Sequence, residues 1–265
     1  MKGRIFKPAI FKAVIHYSRN KKIIADVLNG RGNMDQTFPS DFSADEKEDI
    51  GSVKYYSMTS QERLVSLSRA VDWLVSEQIA GDIVECGVWK GGSMMLVAKR
   101  LVRKGVLDKK LFLFDTFEGM SDPGADDISS VDQKSARDLL DHSDRLAGNN
   151  VWCYSSLEEV KSNLKKTNYP VNNLYFKKGK VEDTLPDPDL ENICLLRLDT
   201  DWYESTRHEL ETLYDKLVIG GILIIDDYGH WSGSRKAVDE FIKSRKASLF
   251  FNRMDYTGRL AIKTK

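Results

Sequence analysis

The sequence is poor in the features on which disulfide-stabilised and membrane-spanning proteins depend. It has three cysteines, Cys86, Cys153 and Cys194, and their wide spacing matches no metal-binding or redox pattern. No apolar stretch approaches the ~20 residues that a membrane-spanning helix needs. The 40 basic and 40 acidic residues cancel, so the chain lacks the positive excess that is typical of nucleic-acid-binding proteins. These absences predict a soluble, cytoplasmic protein with no nucleic-acid partner.

The N-terminal residues 1–57 differ in composition from the rest of the chain. Seven lysines and arginines precede the first acidic residue, Asp26, and the apolar residues among them do not form the continuous core of a signal peptide. We interpret residues 1–22 as an arm that packs on the body or on another subunit; a helix lying on a membrane surface is the alternative. The polar residues 28–49 predict a surface linker or mobile flap. Residues 58–265 are predicted to form one domain.

Apolar runs and helical patterns alternate along this predicted domain. Strands are predicted at residues 82–86, 111–114, 174–176, 193–198 and 221–225, with a closing pair at 249–251 and 260–262. Helices are predicted at residues 59–79, 94–102, 134–140, 160–166, 204–216 and 232–244. Thr59 is the predicted cap of the first helix, and Gly220 and Gly221 are predicted to end the fifth. The alternation is typical of an α/β protein with a doubly wound, mostly parallel sheet.

Two acidic clusters each follow a strand that is predicted to be buried. Asp199 and Asp201 follow the fourth strand, and Asp226 and Asp227 follow the fifth. Open α/β sheets bind their ligands at the carboxyl edge of the strands, where both clusters are expected. Carboxylates brought together there repel one another unless a positive charge lies among them. A hard divalent cation with oxygen ligands is the predicted partner.

A glycine-containing turn follows the first predicted strand. Glu85 ends that strand, Gly87 and Gly91 allow the backbone to turn, and a helix then begins. Backbone amides at such a helix start accept anionic groups, so the turn suits a nucleotide-like cofactor. Asp115, at the end of the second strand, is placed to bind both hydroxyls of a ribose. The spacing is neither Gly-x-Gly-x-x-Gly nor a Walker motif, which disfavours NAD and ATP and favours S-adenosylmethionine.

Five motifs, taken in order, resemble those of the macrocin O-methyltransferase family. They are VECGVWKGG at 84–92, DTFEG at 115–119, EDTLP at 182–186, DTDWYEST at 199–206 and DDYG at 226–229. The resemblance implies a Rossmann-like class I methyltransferase fold with an antiparallel C-terminal strand. It also implies a magnesium-dependent enzyme that moves a methyl group from S-adenosylmethionine to a sugar hydroxyl of a small-molecule glycoside or saccharide. A homo-oligomer is expected from the same resemblance and from the N-terminal arm.

The resemblance further implies a role for individual residues. The cofactor residues that it implies are Glu85, Gly87 and Ser93 at the methionine part, Asp115 at the ribose with Thr116 and Phe117 beside it, and Val181, Glu182 and Asp183 at the adenine. The implied magnesium ligands are Asp199, Asp226 and Asp227. A sugar hydroxyl is a poor nucleophile at neutral pH, so a general base is also needed. Asp201 is the predicted base, because it lies two residues after a ligand, and Asp199 is the alternative.

Two other functions and several structural interpretations stay open at this point. Asp199-Thr200-Asp201 is also the Asp-x-Asp pattern of metal-dependent glycosyltransferases, although the glycine turn disfavours that function. A non-catalytic protein that binds S-adenosylmethionine is the third class. Asp226 and Asp227 have a simpler interpretation as caps of a turn, and His230 as a structural or solvated residue. Two interpretations stay open for three aromatic residues, which form either the wall of the acceptor pocket or part of the core: Trp89, Trp202 and Tyr203.

Overall fold

The computed structural model describes residues 38–145, 151–247 and 249–265, and within these residues a seven-stranded sheet forms the centre. The strands are β1 (Asp82–Cys86), β2 (Leu111–Asp115), β3 (Leu174–Lys178), β4 (Ile193–Leu198), β5 (Leu217–Ile225), β6 (Asn252–Arg253) and β7 (Arg259–Ile262). The α-helices are α1 (Ala44–Val53), α2 (Gln61–Ser76), α3 (Gly92–Arg103), α4 (Ala136–Asp141), α5 (Leu157–Lys165), α6 (Val181–Thr184), α7 (Tyr203–Leu213) and α8 (Ser232–Arg245). The predictions for residues 1–37, the membrane-surface alternative included, concern residues outside those that the structure describes.

The sheet order is β3-β2-β1-β4-β5-β7-β6, with β1 to β5 parallel and β7 antiparallel to β5. This confirms the predicted fold class, including the antiparallel C-terminal strand. The central strands β1, β2 and β4 are almost continuously apolar because helices cover both of their faces. Cys86 pairs in register with both Phe114 and Leu198, so these three strands end at the same level. Asp115 and Asp199 therefore lie at one edge of the sheet.

Apolar cores on the two faces of the sheet hold the helices in place. On one face α1, α2, α3 and α5 pack through residues such as Leu64 and Leu96, and on the other α7 and α8 pack through Leu210 and Phe241. A third, smaller cluster joins α4 to the edge of the sheet through Trp202 and other aromatic residues. Burial of this kind contributes roughly 25 cal/mol per Å² of apolar surface. Because both faces are covered, the carboxyl edge is the part of the sheet left for polar groups.

The interval 28–49 is not a linker in its described part. Helix α1 begins there with a capping box, in which Ser43 accepts from the Glu46 amide and Glu46 accepts from the Ser43 amide. Asp49 is buried and accepts a hydrogen bond of 3.3 Å from Arg100 of α3. The polar residues on which the flap prediction was based thus include a helix cap, Ser43, and a member of a buried ion pair, Asp49. The boundary placed at residue 57 stays a prediction.

Two local predictions near the C-terminus were wrong. Gly220 and Gly221 lie inside β5 and do not end a helix; Gly220 adopts φ +82, and its amide bonds to the Lys263 carbonyl. The first strand of the closing pair, predicted at 249–251, is the two-residue β6 at Asn252–Arg253. In both cases the pairing partner, β7, decides where the strand lies, and a short apolar run does not reveal that partner. None of the described helices is long and apolar enough to cross a membrane.

Candidate active site

Three carboxylates meet at the carboxyl edge of the sheet. Asp199 follows β4, Asp226 and Asp227 follow β5, and one oxygen from each lies within 4.8 Å of the others. The Asp199 amide donates to the Cys86 carbonyl at 2.8 Å and the Asp226 amide donates to the Leu198 carbonyl at 2.9 Å. These bonds extend the strand pairing by one residue, so the sheet determines the backbone positions of Asp199 and Asp226. Clustered oxygen ligands of this kind suit a hard divalent cation.

Arg197, for which no role was predicted, lies among these acids. Its side chain projects from β4 and is buried. Nη1 lies 2.6 Å from Glu85 Oε1 and 2.7 Å from Asp199 Oδ2, and Nη2 lies 2.8 Å from Asp226 Oδ1. Nη2 also donates to the Thr59 hydroxyl at 3.2 Å. Thr59 therefore contacts the site, whereas the cap of α2 is Ser60 and not Thr59 as predicted.

A second buried guanidinium comes from Arg63 on helix α2. It forms an ion pair with the other oxygen of Asp226, and its Nε lies 3.0 Å from Asp255 Oδ2. Asp255 also accepts from the hydroxyl of Ser60 at 2.7 Å, which ties the start of α2 to the β6–β7 connection. Sequence reasoning missed Arg63, because its helix carries no motif that points to the acidic edge. Both oxygens of Asp226 thus face guanidinium groups.

The two arginines neutralise only part of this acidic edge. Although burial opposes ionisation, Arg197 and Arg63 hold the pKa of Asp226 below its usual value. Burial, followed by neighbouring carboxylates, raises the pKa of Asp227 well above its usual range. Burial likewise raises the pKa of Asp199, despite the opposing charge of Arg197. At this edge of the sheet, the carboxylates therefore outnumber the two guanidinium groups, and the site favours an additional positive charge.

Asp201 stands beside the three clustered acids in an unusual backbone conformation. Its φ is +67, a left-handed value that aspartate tolerates better than most residues. Its side chain is hydrogen-bonded to those of Asp227 and Trp231. Burial, followed by the charge of Asp199, raises the pKa of Asp201 to about 7. A carboxyl group with such a pKa can exchange a proton near neutral pH.

The glycine turn after β1 is shaped by close packing of the backbone. Gly87 has φ +83, and a Cβ there would lie 1.9 Å from the Asp199 carbonyl oxygen. A Cβ on Gly92 would lie 2.4 Å from the Tyr56 carbonyl oxygen. Ser93 is buried in the first turn of α3. The turn therefore brings β1 directly against the segment that carries Asp199.

Asp115 lies at the end of β2, where the sequence predicts it, and binds the glycine turn. One of its oxygens accepts from the amides of Val88 and Trp89 at 2.6 and 3.0 Å, and the other accepts from the amide of Phe117 at 2.6 Å. Burial raises the pKa of Asp115, and these amides oppose the rise. Thr116 donates to the Gly119 carbonyl. The ring of Phe117 is buried in the core, so only its backbone contacts Asp115.

The segment predicted to approach an adenine lies on the next strand outward. Val181, Glu182 and Asp183 form helix α6, directly after β3. The Gly179 amide donates to the Asp115 carbonyl at 3.0 Å, which holds this segment beside the end of β2. Val181 is buried, whereas Glu182 and Asp183 are exposed. The nine predicted cofactor residues thus lie at or just after the carboxyl ends of β1, β2 and β3, three neighbouring strands.

The aromatic residues separate into core and rim. Trp202 is only 2% exposed and packs edge-to-face on Trp231, so it is core. Tyr203 is half-buried and donates its hydroxyl to Glu240. His230 packs against the Trp231 ring, and its Nδ1 lies 3.3 Å from the Tyr256 hydroxyl. Burial, with the nearby Arg63, lowers the pKa of His230.

Comparison with known proteins gives consistent similarities over most of the chain. The family model described as Macrocin-O-methyltransferase (TylF) matches residues 11–261. Demethyldecarbamoylnovobiocin O-methyltransferase of Streptomyces niveus is 33% identical over 186 residues, covering 70% of this chain and 67% of that protein. The 8-demethyl-8-(2,3-dimethoxy-alpha-L-rhamnosyl)-tetracenomycin-C 4'-O-methyltransferase of Streptomyces olivaceus is 32% identical, covering 77% and 74%. The solved structure of the O-methyltransferase NovP superposes with a TM-score of 0.70 at 26% identity, covering 94% and 99%.

Proposed function

Because the chain belongs to the macrocin O-methyltransferase family, we propose that it moves a methyl group from S-adenosylmethionine to a sugar hydroxyl of a glycoside or saccharide, with Mg²⁺ bound. The observation that carries this proposal is the contact of Arg197 with both Glu85 and Asp199. It joins the glycine turn, which suits the cofactor, to the acidic cluster, which suits the metal. Family membership assigns the reaction as O-methyl transfer. The residues of the site support the proposed cofactor and metal.

The residues at the ends of β1, β2 and β3 fit S-adenosylmethionine. Within the described residues, Glu85 Oε2 is buried without a hydrogen-bond partner, which leaves an acceptor for the ammonium group of the methionine part. Gly87 and Ser93 would complete that end. Asp115 would hold the ribose, with Thr116 and Phe117 beside it. The residues that would approach the adenine are Val181, Glu182 and Asp183. When bound, this cofactor supplies a methyl group on a positively charged sulfur.

The acidic edge fits Mg²⁺ through Asp199, Asp226 and Asp227. Their oxygens converge within 4.8 Å, and burial with mutual repulsion raises the pKa of Asp199 and Asp227, an effect that a bound cation would oppose. The metal, when bound, supplies positive charge that lowers the pKa of an acceptor hydroxyl. Arg197 and Arg63 both form ion pairs with Asp226, and these pairs restrict the rotation of its carboxylate. The protein thus holds its ligand oxygens in place before the cation arrives.

Asp201 would act as the general base. Its pKa of about 7 suits proton uptake near neutral pH, and its left-handed backbone directs it to Asp227. Bound S-adenosylmethionine would supply the methyl group for the acceptor oxygen, and Asp201 would take up the proton that the hydroxyl releases. Asp199, the alternative base, is less free to take up the proton, because its carboxylate is paired with Arg197 at 2.7 Å and is also a proposed metal ligand. The acceleration would come mainly from positioning and proton removal.

A sugar acceptor is supported by the relatives. The name of the Streptomyces olivaceus protein specifies a rhamnosyl-bearing tetracenomycin as the molecule that receives the methyl group at its 4' oxygen. For the present chain, a hydroxyl of a glycoside or saccharide is therefore the proposed target. A glycosyltransferase that uses Asp199 and Asp201 is disfavoured by family membership. A binding protein without turnover is disfavoured by the complete acidic set at the edge.

Calorimetric titration with S-adenosylhomocysteine, with and without Mg²⁺, tests the cofactor assignment. We expect saturable binding by folded wild-type protein and weaker binding by Glu85→Gln, because the amide removes the negative charge from the buried acceptor. Glu204→Gln is a matched control, since Glu204 is exposed and pairs only with Arg207 among the described residues. Absence of binding in both conditions, or preferential binding of a nucleotide sugar, would reject the proposed function.

A further inference from the structure

Asp127 is a buried carboxylate outside both the acidic cluster and the proposed cofactor residues. It belongs to the segment between β2 and α4 and is only 1% exposed. Its Oδ1 accepts from the amide of Tyr203 at 2.8 Å, across 76 residues of sequence, and its Oδ2 accepts from the amide of Gly124 at 2.7 Å. Tyr203 is the first residue of α7, and the N-cap residue Trp202 makes no side-chain capping bond. Asp127 therefore caps α7 from a distant part of the chain.

The same carboxylate also contacts the start of α8. A Cβ on Gly233 would lie 1.8 Å from Asp127 Oδ1, so glycine is required for the carboxylate to sit there. The neighbouring residues reinforce this contact. The Ser130 amide donates to the His230 carbonyl at 2.7 Å, and the Ser232 amide donates to the Ile128 carbonyl at 3.0 Å. The segment around Asp127 is thus held at the first turn of α8.

Helices α7 and α8 begin directly after the two acidic segments. Asp201 lies two residues before α7, and Asp227 lies five residues before α8. The side chains of Asp201 and Asp227 are hydrogen-bonded to each other, and the rings of Trp202 and Trp231, at the two helix starts, pack 4.9 Å apart. A shift of either helix start would therefore change the separation of the two acidic segments. Asp127 is a buried carboxylate that lies against both helix starts.

We infer that Asp127 is a positioning residue that holds the two acidic segments at the separation that Mg²⁺ binding requires. The inference rests on the proposed function, since it assigns Asp127 to the site formed by Asp199, Asp226 and Asp227. Asp127 does not itself belong to that cluster; it acts through the backbones of α7 and α8. The cofactor residues after β1, β2 and β3 make no contact with it. Loss of Asp127 should therefore affect metal binding and leave cofactor binding intact.

The test compares Asp127→Ala, Asp127→Asn and Gly233→Ala by calorimetric titration with MgCl₂ and, separately, with S-adenosylhomocysteine. Asp127→Ala should raise the Kd for Mg²⁺ at least tenfold, because the loss of a residue that positions metal ligands typically weakens metal binding by this much. Asp127→Asn should recover part of this loss, because its amide oxygen still accepts from the Tyr203 amide. Gly233→Ala should reproduce the defect with Asp127 intact, because the added methyl displaces the carboxylate. The Kd for S-adenosylhomocysteine should stay within twofold in all three variants.

Asp126→Ala is the matched control. Asp126 is the adjacent acid in the same segment, but it is exposed and pairs with Lys236 at 2.7 Å. Its loss should leave both Kd values unchanged. Unchanged Mg²⁺ binding in Asp127→Asn and Gly233→Ala would overturn the inference, and so would equal weakening of Mg²⁺ and S-adenosylhomocysteine binding. If Asp127→Ala does not fold, these two milder variants decide. Wild-type protein that binds neither ligand would instead overturn the proposed function.

Discussion

Glu85 and Arg197 are register partners on the adjacent parallel strands β1 and β4, and their side chains meet at 2.6 Å. The same arginine nitrogen lies 2.7 Å from Asp199. One guanidinium therefore connects the end of the strand that is proposed to bind the cofactor with the cluster that is proposed to bind the metal. Because Glu85 and Arg197 are buried and Asp199 is only partly exposed, their charges are weakly screened. This arrangement makes the stability of the sheet edge depend on the arginine.

Removal of that arginine should destabilise the protein strongly. Arg197→Met keeps an apolar stem but leaves Glu85, Asp199 and Asp226 without their shared cation, and breaking a buried ion pair typically costs about 3–5 kcal/mol. Urea unfolding of the wild type and the variant measures the change. Arg207→Met is the control, because Arg207 forms exposed pairs that contribute about 0.5 kcal/mol or less. Equal effects of the two substitutions would contradict the account.

Loss of a proposed metal ligand should separate the two binding functions. Asp227→Asn keeps the shape of the side chain but removes one of three converging carboxylates. We expect Mg²⁺ binding and methyl transfer to fall at least a hundredfold, while the Kd for S-adenosylhomocysteine changes less than threefold. Asp215→Asn, at an exposed pair with Arg245, serves as the control and should change neither. Full turnover by Asp227→Asn, or by wild type in excess chelator, would reject the metal requirement.

The raised pKa of Asp201 predicts a pH dependence of stability in the metal-free protein. The folded value of about 7 lies above the ordinary value near 3.8, so the folded state retains a proton that the unfolded state has released. The free energy of unfolding should therefore fall as the pH rises between about 4 and about 7, by at most about 1.4 kcal/mol per pH unit for this group. Asp201→Asn should flatten the slope in urea unfolding with chelator present. An unchanged slope would show that Asp201 does not titrate in this range.

Gly87 should tolerate no side chain, since the Cβ would meet the Asp199 carbonyl at 1.9 Å and φ is +83. Gly87→Ala should lower the free energy of unfolding by about 3 kcal/mol or more, because both overpacking and a left-handed backbone are unfavourable. Gly51→Ala is the matched control. Gly51 lies within α1, and a Cβ there would meet no atom of another part of the chain within 4 Å, so alanine should stabilise by about 0.5–1 kcal/mol. Similar values for the two variants would contradict the close approach of the strands.

The parallel strands and the acidic edge were predictable because they depend on local patterns. β1 matches its predicted bounds, Asp82–Cys86, and continuous apolar residues identify buried strands without knowledge of their neighbours. Arg197 carried a usable signal as well. A charged residue inside the otherwise apolar β4 must find counter-charges in the fold, and the acids at the ends of neighbouring strands were the available ones.

Other features depend on contacts between distant segments and left no local signal. Arg63 is 163 residues from Asp226, and Asp127 is 76 residues from Tyr203. Gly220 resembles a helix stop, yet it lies in β5, where its amide donates to the Lys263 carbonyl 43 residues away. Each of these follows from the topology of the sheet. The pattern of a single segment does not contain it.

The proposed function of this protein is Mg²⁺-dependent methyl transfer to a sugar hydroxyl. The most direct measurement incubates the purified protein with methyl-labelled S-adenosylmethionine and a panel of glycosides, each beside its sugar-free aglycone, with Mg²⁺ or with chelator. We expect label on glycosides alone, acid-stable as an O-methyl sugar, in the presence of Mg²⁺, and none with Asp201→Asn. Label that appears equally on the aglycones, or equally in chelator, would contradict it.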